Sequence, residues 1–376
     1  MRATLASGAV KRYAGRFVWL ELDIDKPLNQ PFIARHGVTF TPTIFVLDPA
    51  DERTTATKFG GMTVSELYLF LERGERGVKG LTSSPADAAL ARAEEMLGRN
   101  QLTDAVAAYR EALKLATPGW PERARVVGSL IKTLMYVRQV QACAEMAAAE
   151  APTMLRDSTF APVVLPGFGC SLAGETAPWA ESARKILEPL AVEAVALPST
   201  LRDNRFQLYQ MFMSAALQSG DKDKLAKWGG RWLDEIEVTK PADDDERSAL
   251  DIARVDAADI MNDPVRVLPA LIASERAMPT NYSASLRLAQ IAAAAKRYDE
   301  SLAACERGLV NVTGPIGRSW LLQTKAEALL GKGDATAARN VLEEALQVAQ
   351  TIGEKRKRDQ HVRNITQAIA ETKNKP

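Results

Sequence analysis

The sequence lacks paired cysteines, long apolar runs and any excess of one charge. Its three cysteines, Cys143, Cys170 and Cys305, lie in neither a CxxC nor a zinc-like spacing. No apolar run reaches the roughly 18 residues that cross a bilayer, and no apolar core follows the N-terminal charges as in a signal peptide. Forty-eight basic residues against 47 acidic ones leave a net charge of +1. These absences predict no metal, membrane or nucleic-acid partner.

Residues that could perform chemistry are also scarce. His36 and His361 are the two histidines, and neither has metal ligands at a suitable spacing, so surface positions are predicted for both. Cys143 and Cys305 lie in alanine-rich segments that are predicted to be helical, and both are predicted to be buried apolar residues. Ser171 stands outside a GxSxG nucleophile motif. We therefore predict no catalytic residue, no cofactor and no metal site.

The first part of the chain has the pattern of a small α/β domain. Three short runs rich in β-branched and aromatic residues are predicted strands: Phe17–Asp23, Thr43–Leu47 and Thr55–Phe59. One helix between them ends at Gly37, and a second begins at Thr63, a suitable N-cap. The predicted domain covers residues 1–76, and a linker rich in glycine and charge covers 77–85.

Residues 86–376 are predicted to form paired amphipathic helices. Three stretches carry small residues where two helices would approach closely: 86–117, 283–313 and 320–351. Three further stretches are weaker copies of this pattern: 122–151, 205–236 and 246–277. The stretch Met154 to Thr176 breaks the period and is predicted to be an inserted loop. About six helix pairs exceed the roughly three repeats that bury a continuous core.

The spacing of these pairs and their Gly-Asp turns resemble the tetratricopeptide repeat. The turn at Gly220-Asp221, followed by Leu225, Gly229 and Trp232, supports the weaker copy at 205–236. The resemblance implies an α-solenoid whose concave groove, formed mainly by first helices, receives a protein or peptide partner. Three basic residues on first-helix surfaces are the groove candidates: Arg92, Lys132 and Arg287.

Residues 38–49, VTFTPTIFVLDP, resemble the segment of the thioredoxin family that carries a cis-proline. The resemblance places that proline at Pro42 and implies that Thr41 and Pro42 face substrate peptide. Residues 1–24 are similar to the segment that follows the CxxC motif in thioredoxin-family sequences. By that alignment the two cysteines would precede Met1, so the chain as written lacks the dithiol. The resemblance covers about 70 residues.

Two explanations of the missing dithiol stay open, a late start at an internal methionine and a degenerate copy. In the thioredoxin family, the strand that precedes CxxC is central in the sheet. It lies between the two strands to which Phe17–Asp23 and Thr43–Leu47 correspond. If this central strand is missing, the two remaining strands pair directly or another segment fills the gap. The chain as written reads as cytoplasmic, whereas a true N-terminus further upstream would permit a periplasmic or secreted protein.

The sequence thus predicts a mainly α protein, with a tetratricopeptide-like solenoid preceded by an incomplete α/β thioredoxin-like domain. The predicted function is a protein-interaction module whose full-length form assists thiol–disulfide or folding chemistry on bound partners. The alternative is a non-catalytic tetratricopeptide scaffold with a degenerate thioredoxin-like domain. An upstream CxxC would distinguish the two. The basic run Lys355–Arg358, with no aromatic residue near it in sequence, is predicted to be a solvated face.

Overall fold

A computed structural model describes residues 8–36, 38, 41–59, 62, 64–80 and 84–372. Within them the protein is mainly α, as predicted, with seventeen α-helices and one sheet of two strands. No helix in these ranges is long and apolar enough to cross a membrane. Met1, Gly37 and Thr63, which entered the sequence predictions, lie outside the described residues.

The N-terminal elements follow the order helix, strand, strand, helix. They are two short 3-10 helices (Gly8–Tyr13 and Pro27–Asn29), α1 (Gln30–His36), β1 (Thr43–Leu47), β2 (Thr54–Phe59) and α2 (Val64–Val78). The two strands are antiparallel, with Thr43 opposite Phe59 and an irregularity between Val46 and Leu47. Two of the three predicted strands are therefore confirmed.

The third predicted strand, Phe17–Asp23, is wrong. These residues have no regular secondary structure and lie outside the sheet. Val18 is 88% exposed and Leu20 is 75% exposed. A strand requires a neighbour for its backbone groups, and in the described chain β1 pairs with β2 alone. Apolar, β-branched composition without a partner strand does not produce a strand.

The helices after residue 84 follow one another through short turns. They are α3 (Pro85–Gly98), α4 (Leu102–Leu115), α5 (Arg123–Tyr136), α6 (Val140–Glu150), a 3-10 turn (Ala151–Thr153), α7 (Ala161–Ala173), α8 (Pro178–Ala196), α9 (Arg202–Ser219), α10 (Lys222–Val238), α11 (Asp244–Met261), α12 (Pro264–Ala277), α13 (Tyr282–Ala294), α14 (Tyr298–Asn311), α15 (Pro315–Gly331), α16 (Ala335–Gln350) and α17 (Lys355–Thr372). Each of the six predicted pairs corresponds to two consecutive helices, from α3 and α4 to α15 and α16.

The Gly-Asp turns explain how one helix ends and the next begins. Gly220 and Gly333 have positive φ angles of 70° and 86°, a conformation that glycine adopts without steric cost. The aspartates that follow them are N-caps: Asp221 accepts from the backbone N–H of Lys224, and Asp334 from that of Ala337. A two-residue sequence signal therefore sets the boundary between two helices.

The predicted loop at 154–176 is wrong, because most of it forms α7. This helix is buried along nearly its whole length and contacts α5, α6 and α8. A helix that is apolar on all sides shows no amphipathic period, which is why the sequence pattern failed here. A Cβ atom on Gly167 would overlap the Cβ of Ala147, so the absence of a side chain allows α7 to approach α6 closely.

The chain divides into two compact units, residues 1–211 and 212–376, and the division falls within α9. The α/β elements belong to the first unit together with α3 to α8. The predicted linker 77–85 begins with the last residues of α2, and its residues 81–83 lie outside the described ranges. A Cβ on Gly74 would lie 2.6 Å from Val46, and one on Gly77 would lie 3.0 Å from Thr55. These glycines allow α2 to approach the sheet closely. The domain boundary at 77–85 stays a prediction.

Candidate functional site

Thr41 and Pro42 lie at the surface immediately before β1. The peptide bond between them is cis, as the resemblance to the thioredoxin segment implies. The three cysteines lie on α6, α7 and α14, and none is in the α/β region. A substrate-facing role for Thr41 and Pro42 therefore stays a prediction.

Two of the three predicted groove residues are engaged in contacts between helices. Arg92 on α3 forms an ion pair of 3.0 Å with Glu111 on α4, and both side chains are about half exposed. Arg287 on α13 is partly buried and donates to Ser248 Oγ on α11 at 2.9 Å. Burial lowers the pKa of Arg287, and Asp251 opposes this effect. Arg287 thus holds two helices together in the second unit, whereas Arg92 belongs to the first.

Lys132, the third predicted groove residue, lies on α5 near the α/β elements. Its Nζ is 5.9 Å from the centre of the Tyr136 ring. Burial lowers the pKa of Lys132 to about 8, and the positive charge of Lys58 on β2 adds to this shift. Lys132 is thus largely withdrawn from solvent and lies within electrostatic range of Lys58 on β2. A peptide-groove role for Arg92, Lys132 and Arg287 stays a prediction.

Four charged side chains form a buried cluster where the α/β elements meet the helices. Arg73 on α2 and Arg125 on α5 contact Glu94 on α3 at 3.1 and 2.9 Å. The same two arginines contact Glu122 at 3.6 and 2.7 Å. Burial alone would raise the pKa of Glu122, but Arg125 and Arg73 together lower it. We name these four residues the ion quartet. Two positive and two negative charges compensate each other, so the quartet is a structural contact.

The two predicted surface histidines are both buried. His36, 5% exposed, packs against the rings of Phe32 and Phe45, and its Nδ1 lies 3.4 Å from Thr54 Oγ1. His361 is 8% exposed. The surface prediction was wrong because it considered each helix alone, whereas contacts with other elements cover both rings. No described group of three or more His, Cys, Asp or Glu side chains could hold a metal ion.

A cleft of about 300 Å³ lies between α15 and α17 in the second unit. Its lining residues repeat at helical spacing on each helix: Ile316, Trp320 and Gln323 on α15, and Lys357, Gln360, His361 and Asn364 on α17. Residues three or four positions apart share one face of a helix, so two facing stripes form the walls. We name this feature the Trp320 cleft.

Buried polar contacts hold the walls of the Trp320 cleft in place. Ser319 Oγ lies 3.1 Å from His361 Nδ1, and Gln323 Nε2 donates to the same hydroxyl at 3.2 Å. The rings of Trp320 and His361 are 5.6 Å apart. Burial lowers the pKa of His361, which favours the neutral ring at neutral pH. Ser319 is completely buried, so this Ser–His pair positions the cleft rather than attacking a substrate.

The lining of the Trp320 cleft combines an aromatic ring with side-chain amides. Trp320 is 46% exposed and offers an aromatic surface to an apolar side chain. The amides of Gln360 and Asn364 can both donate and accept hydrogen bonds, whereas Gln323 Nε2 donates to Ser319. No carboxylate is among the lining residues, and Lys357 pairs with Glu354 at 2.7 Å. Sequence analysis missed this cleft, although the spacing of Ile316, Trp320 and Gln323 was a visible signal.

No family model matches this chain, and no curated protein is similar to it. We therefore infer its function from the arrangement of its own side chains. The Trp320 cleft is the described feature that combines an exposed aromatic ring, several amides and a rigid polar base. A second depression, bounded by Arg318, Gln347 and Val348, has neither an aromatic ring nor such a base.

Proposed function

We propose that this protein is a protein-interaction module that binds an extended peptide segment of a partner in the Trp320 cleft. The observation that carries the proposal is the half-exposed Trp320, held in place by the buried contact between Ser319 and His361. An aromatic ring fixed by its neighbours loses little conformational entropy when a ligand covers it. Aromatic anchors of this kind dominate the energy of many interfaces.

The order of the helices supports a groove rather than an isolated pocket. Two helix pairs before α7 and α8 and four pairs after them, with Gly-Asp turns at Gly220 and Gly333, fit a tetratricopeptide-like array. In such an array first helices line one face, and α15 is a first helix. Helix α17 follows the last pair, where the first helix of a further pair would stand. The Trp320 cleft is then one segment of a longer groove within the second unit.

The thioredoxin-like region leaves two versions of this function. The order α1, β1, β2, α2 and the antiparallel pairing of β1 with β2 support a thioredoxin-like contribution. For a form with an upstream CxxC, we propose thiol–disulfide or folding chemistry on bound partners. For the present sequence, whose α/β region holds no cysteine, we propose a non-catalytic scaffold. Both versions bind the partner in the Trp320 cleft, so peptide binding in this cleft is tested first.

The test selects ligands for the full chain from a phage-displayed library of random peptides. Enriched peptides are labelled, and their affinities are measured by fluorescence anisotropy. We expect Trp320→Ala to weaken binding at least tenfold and Asn364→Ala to weaken it severalfold, because they remove the aromatic anchor and one backbone-binding amide. Val310→Ala, at an exposed apolar residue of α14, is the matched control and should leave the affinity unchanged.

Two outcomes would contradict the proposal. One is a library from which no peptide is enriched over an inert protein surface. The other is a set of peptides that bind wild type and Trp320→Ala equally, which would place binding elsewhere. Circular dichroism of each variant verifies that the loss of affinity does not follow from unfolding.

A further inference from the structure

Cys143 on α6 and Cys170 on α7 form a disulfide in this structure, a pairing that sequence spacing did not suggest. The two residues are 27 positions apart, and their Cα atoms lie 6.2 Å from each other, within the range that a disulfide spans. Both residues are buried. Cys143 is therefore buried as predicted, but it is a cross-linked residue rather than a simple apolar one.

Helix α7 has an unusual need for such a bond. It contains Pro166, Gly167 and Gly169 within its thirteen residues, and proline and glycine are the poorest helix formers. Its placement depends on tertiary packing against α5, α6 and α8. The disulfide joins α7 directly to α6, one helical turn from the close contact between Gly167 and Ala147. It therefore restrains the helix whose own sequence supports it least.

The third cysteine does not compete for either partner. Cys305 lies on α14 in the second unit, is buried, and has no disulfide partner. Burial raises the pKa of its thiol to about 12, which keeps it in the unreactive protonated form at neutral pH. With three cysteines in the chain, the pairing of Cys143 with Cys170 is unambiguous.

We propose that the Cys143–Cys170 disulfide is a structural bond of the functional protein, and that the chain matures in an oxidising compartment. Protein disulfides persist in such compartments and are rare in the reducing cytosol. The bond forms by thiol–disulfide exchange with an oxidised low-molecular-weight disulfide or an oxidised dithiol protein. The two cysteine thiols lose two protons and two electrons, and the oxidant's disulfide takes them up to become two thiols.

The burial of both sulfurs separates this bond from a catalytic one. Exchange requires a thiolate to reach a disulfide sulfur in line, and the surrounding helices close off that approach in the folded state. The bond is consequently a permanent brace of the first unit and does not pass electrons to a partner. This inference is independent of the Trp320 cleft, which lies in the second unit.

The test counts thiols in the full chain after it has been reduced, unfolded and refolded in the presence of glutathione disulfide, so that both thiols are accessible to the oxidant while the bond forms. The protein is denatured in guanidinium with an alkylating reagent, and its intact mass is measured. We expect one modified thiol, on Cys305, and three after prior reduction. Cys143→Ser should expose one additional thiol, whereas the control Cys305→Ser should leave none. Three modified thiols in wild type after oxidation would overturn the proposal.

A second measurement tests whether the bond is required. We expect reduction to lower the midpoint of thermal unfolding by about 5–10 °C, because cross-linking a loop of this size restricts the unfolded chain. Cys143→Ala/Cys170→Ala should show the same loss and no response to reductant. Cys305→Ser should respond to reductant as wild type does. An unchanged midpoint after complete reduction would contradict a structural role and remove the reason for an oxidising compartment.

Discussion

The α/β region and the helical pairs bury their apolar residues in different ways. The α/β region has one small core, composed of Tyr13, Val46, Ala56, Met62, Leu67, Phe70 and Leu71. It also leaves Val18, Leu20 and Leu28 largely exposed. The pair α15 and α16 together with α17 instead buries a continuous set of small and large residues supplied by neighbouring helices, including Leu322, Ala338 and Ile365.

The two regions also differ in which elements of the chain they pack against. A helix pair packs against elements that are adjacent in the chain. The two-stranded sheet instead depends on α2 on one side and on α3 further along the chain. Thr57 Oγ1 donates to the backbone carbonyl of Glu94, and a Cβ on Gly98 would contact Thr57. A two-stranded sheet is marginal by itself in water, so these helices supply its stability.

The largest loss of stability is expected for a substitution in the ion quartet, which connects the α/β region to the helices. Glu94→Gln leaves Arg73 and Arg125 facing Glu122 alone inside the ion quartet. We expect the free energy of unfolding to fall by about 3–5 kcal/mol, because a buried charge loses its partner. Glu111→Gln, which breaks an exposed pair with Arg92, should cost less than about 1 kcal/mol. Urea unfolding monitored by circular dichroism measures both.

Equal losses for these two variants would show that the quartet contributes no more than a surface pair. The α/β region would then be held to the helices by apolar contacts alone. A loss limited to part of the unfolding transition would show that the first unit unfolds separately from the second.

Glycine substitutions compare close packing in the two regions. Gly74→Ala would place a methyl group 2.6 Å from Val46, and we expect it to cost about 1–3 kcal/mol. Gly230→Ala on α10 meets only the flexible end of Arg266, at 3.8 Å. There we expect a gain of about 0.5–1 kcal/mol, since alanine favours a helix interior. Thermal unfolding of both variants shows whether each substitution raises or lowers the stability. A stabilised Gly74→Ala variant would contradict close packing of α2 on the sheet.

The smallest effect concerns pH, with one histidine in each region. Burial lowers the pKa of both His36 and His361, and Arg35 adds to the shift of His36. Below the unfolded-state pKa of about 6.5, the unfolded chain binds protons that the folded chain does not. Stability is thus complete above that pH and declines as the pH falls toward the folded-state pKa values.

The measurement is the unfolding free energy between pH 7.5 and 5.5 (roughly the range in which histidine titrates). His36→Gln and His361→Gln should each reduce the slope in this range, and the double variant should reduce it most. An unchanged slope in the double variant would show that neither ring is desolvated in solution. Variants of single histidines also reveal which region loses stability first.

Several features could be predicted from sequence because they depend on residues close together in the chain. The six helix pairs, the Gly-Asp turns and the strands β1 and β2 belong to this class. Residues 17–23 and 154–176 show the limit of the same reasoning. The first has the composition of a strand but no partner strand, and the second is too uniformly apolar to show the period of an amphipathic helix.

The sequence by itself determined the mainly α fold, the paired helices and the proline that precedes β1. Local propensity, capping and periodicity act over a few residues, so the amino-acid sequence is sufficient to predict the features that depend on them. Only the tertiary structure decided the ion quartet, the burial of both histidines, the Cys143–Cys170 bond and the Trp320 cleft. These features join residues that are tens of positions apart, such as Ser319 and His361, separated by 42. Their contacts exist only when whole helices have been packed together.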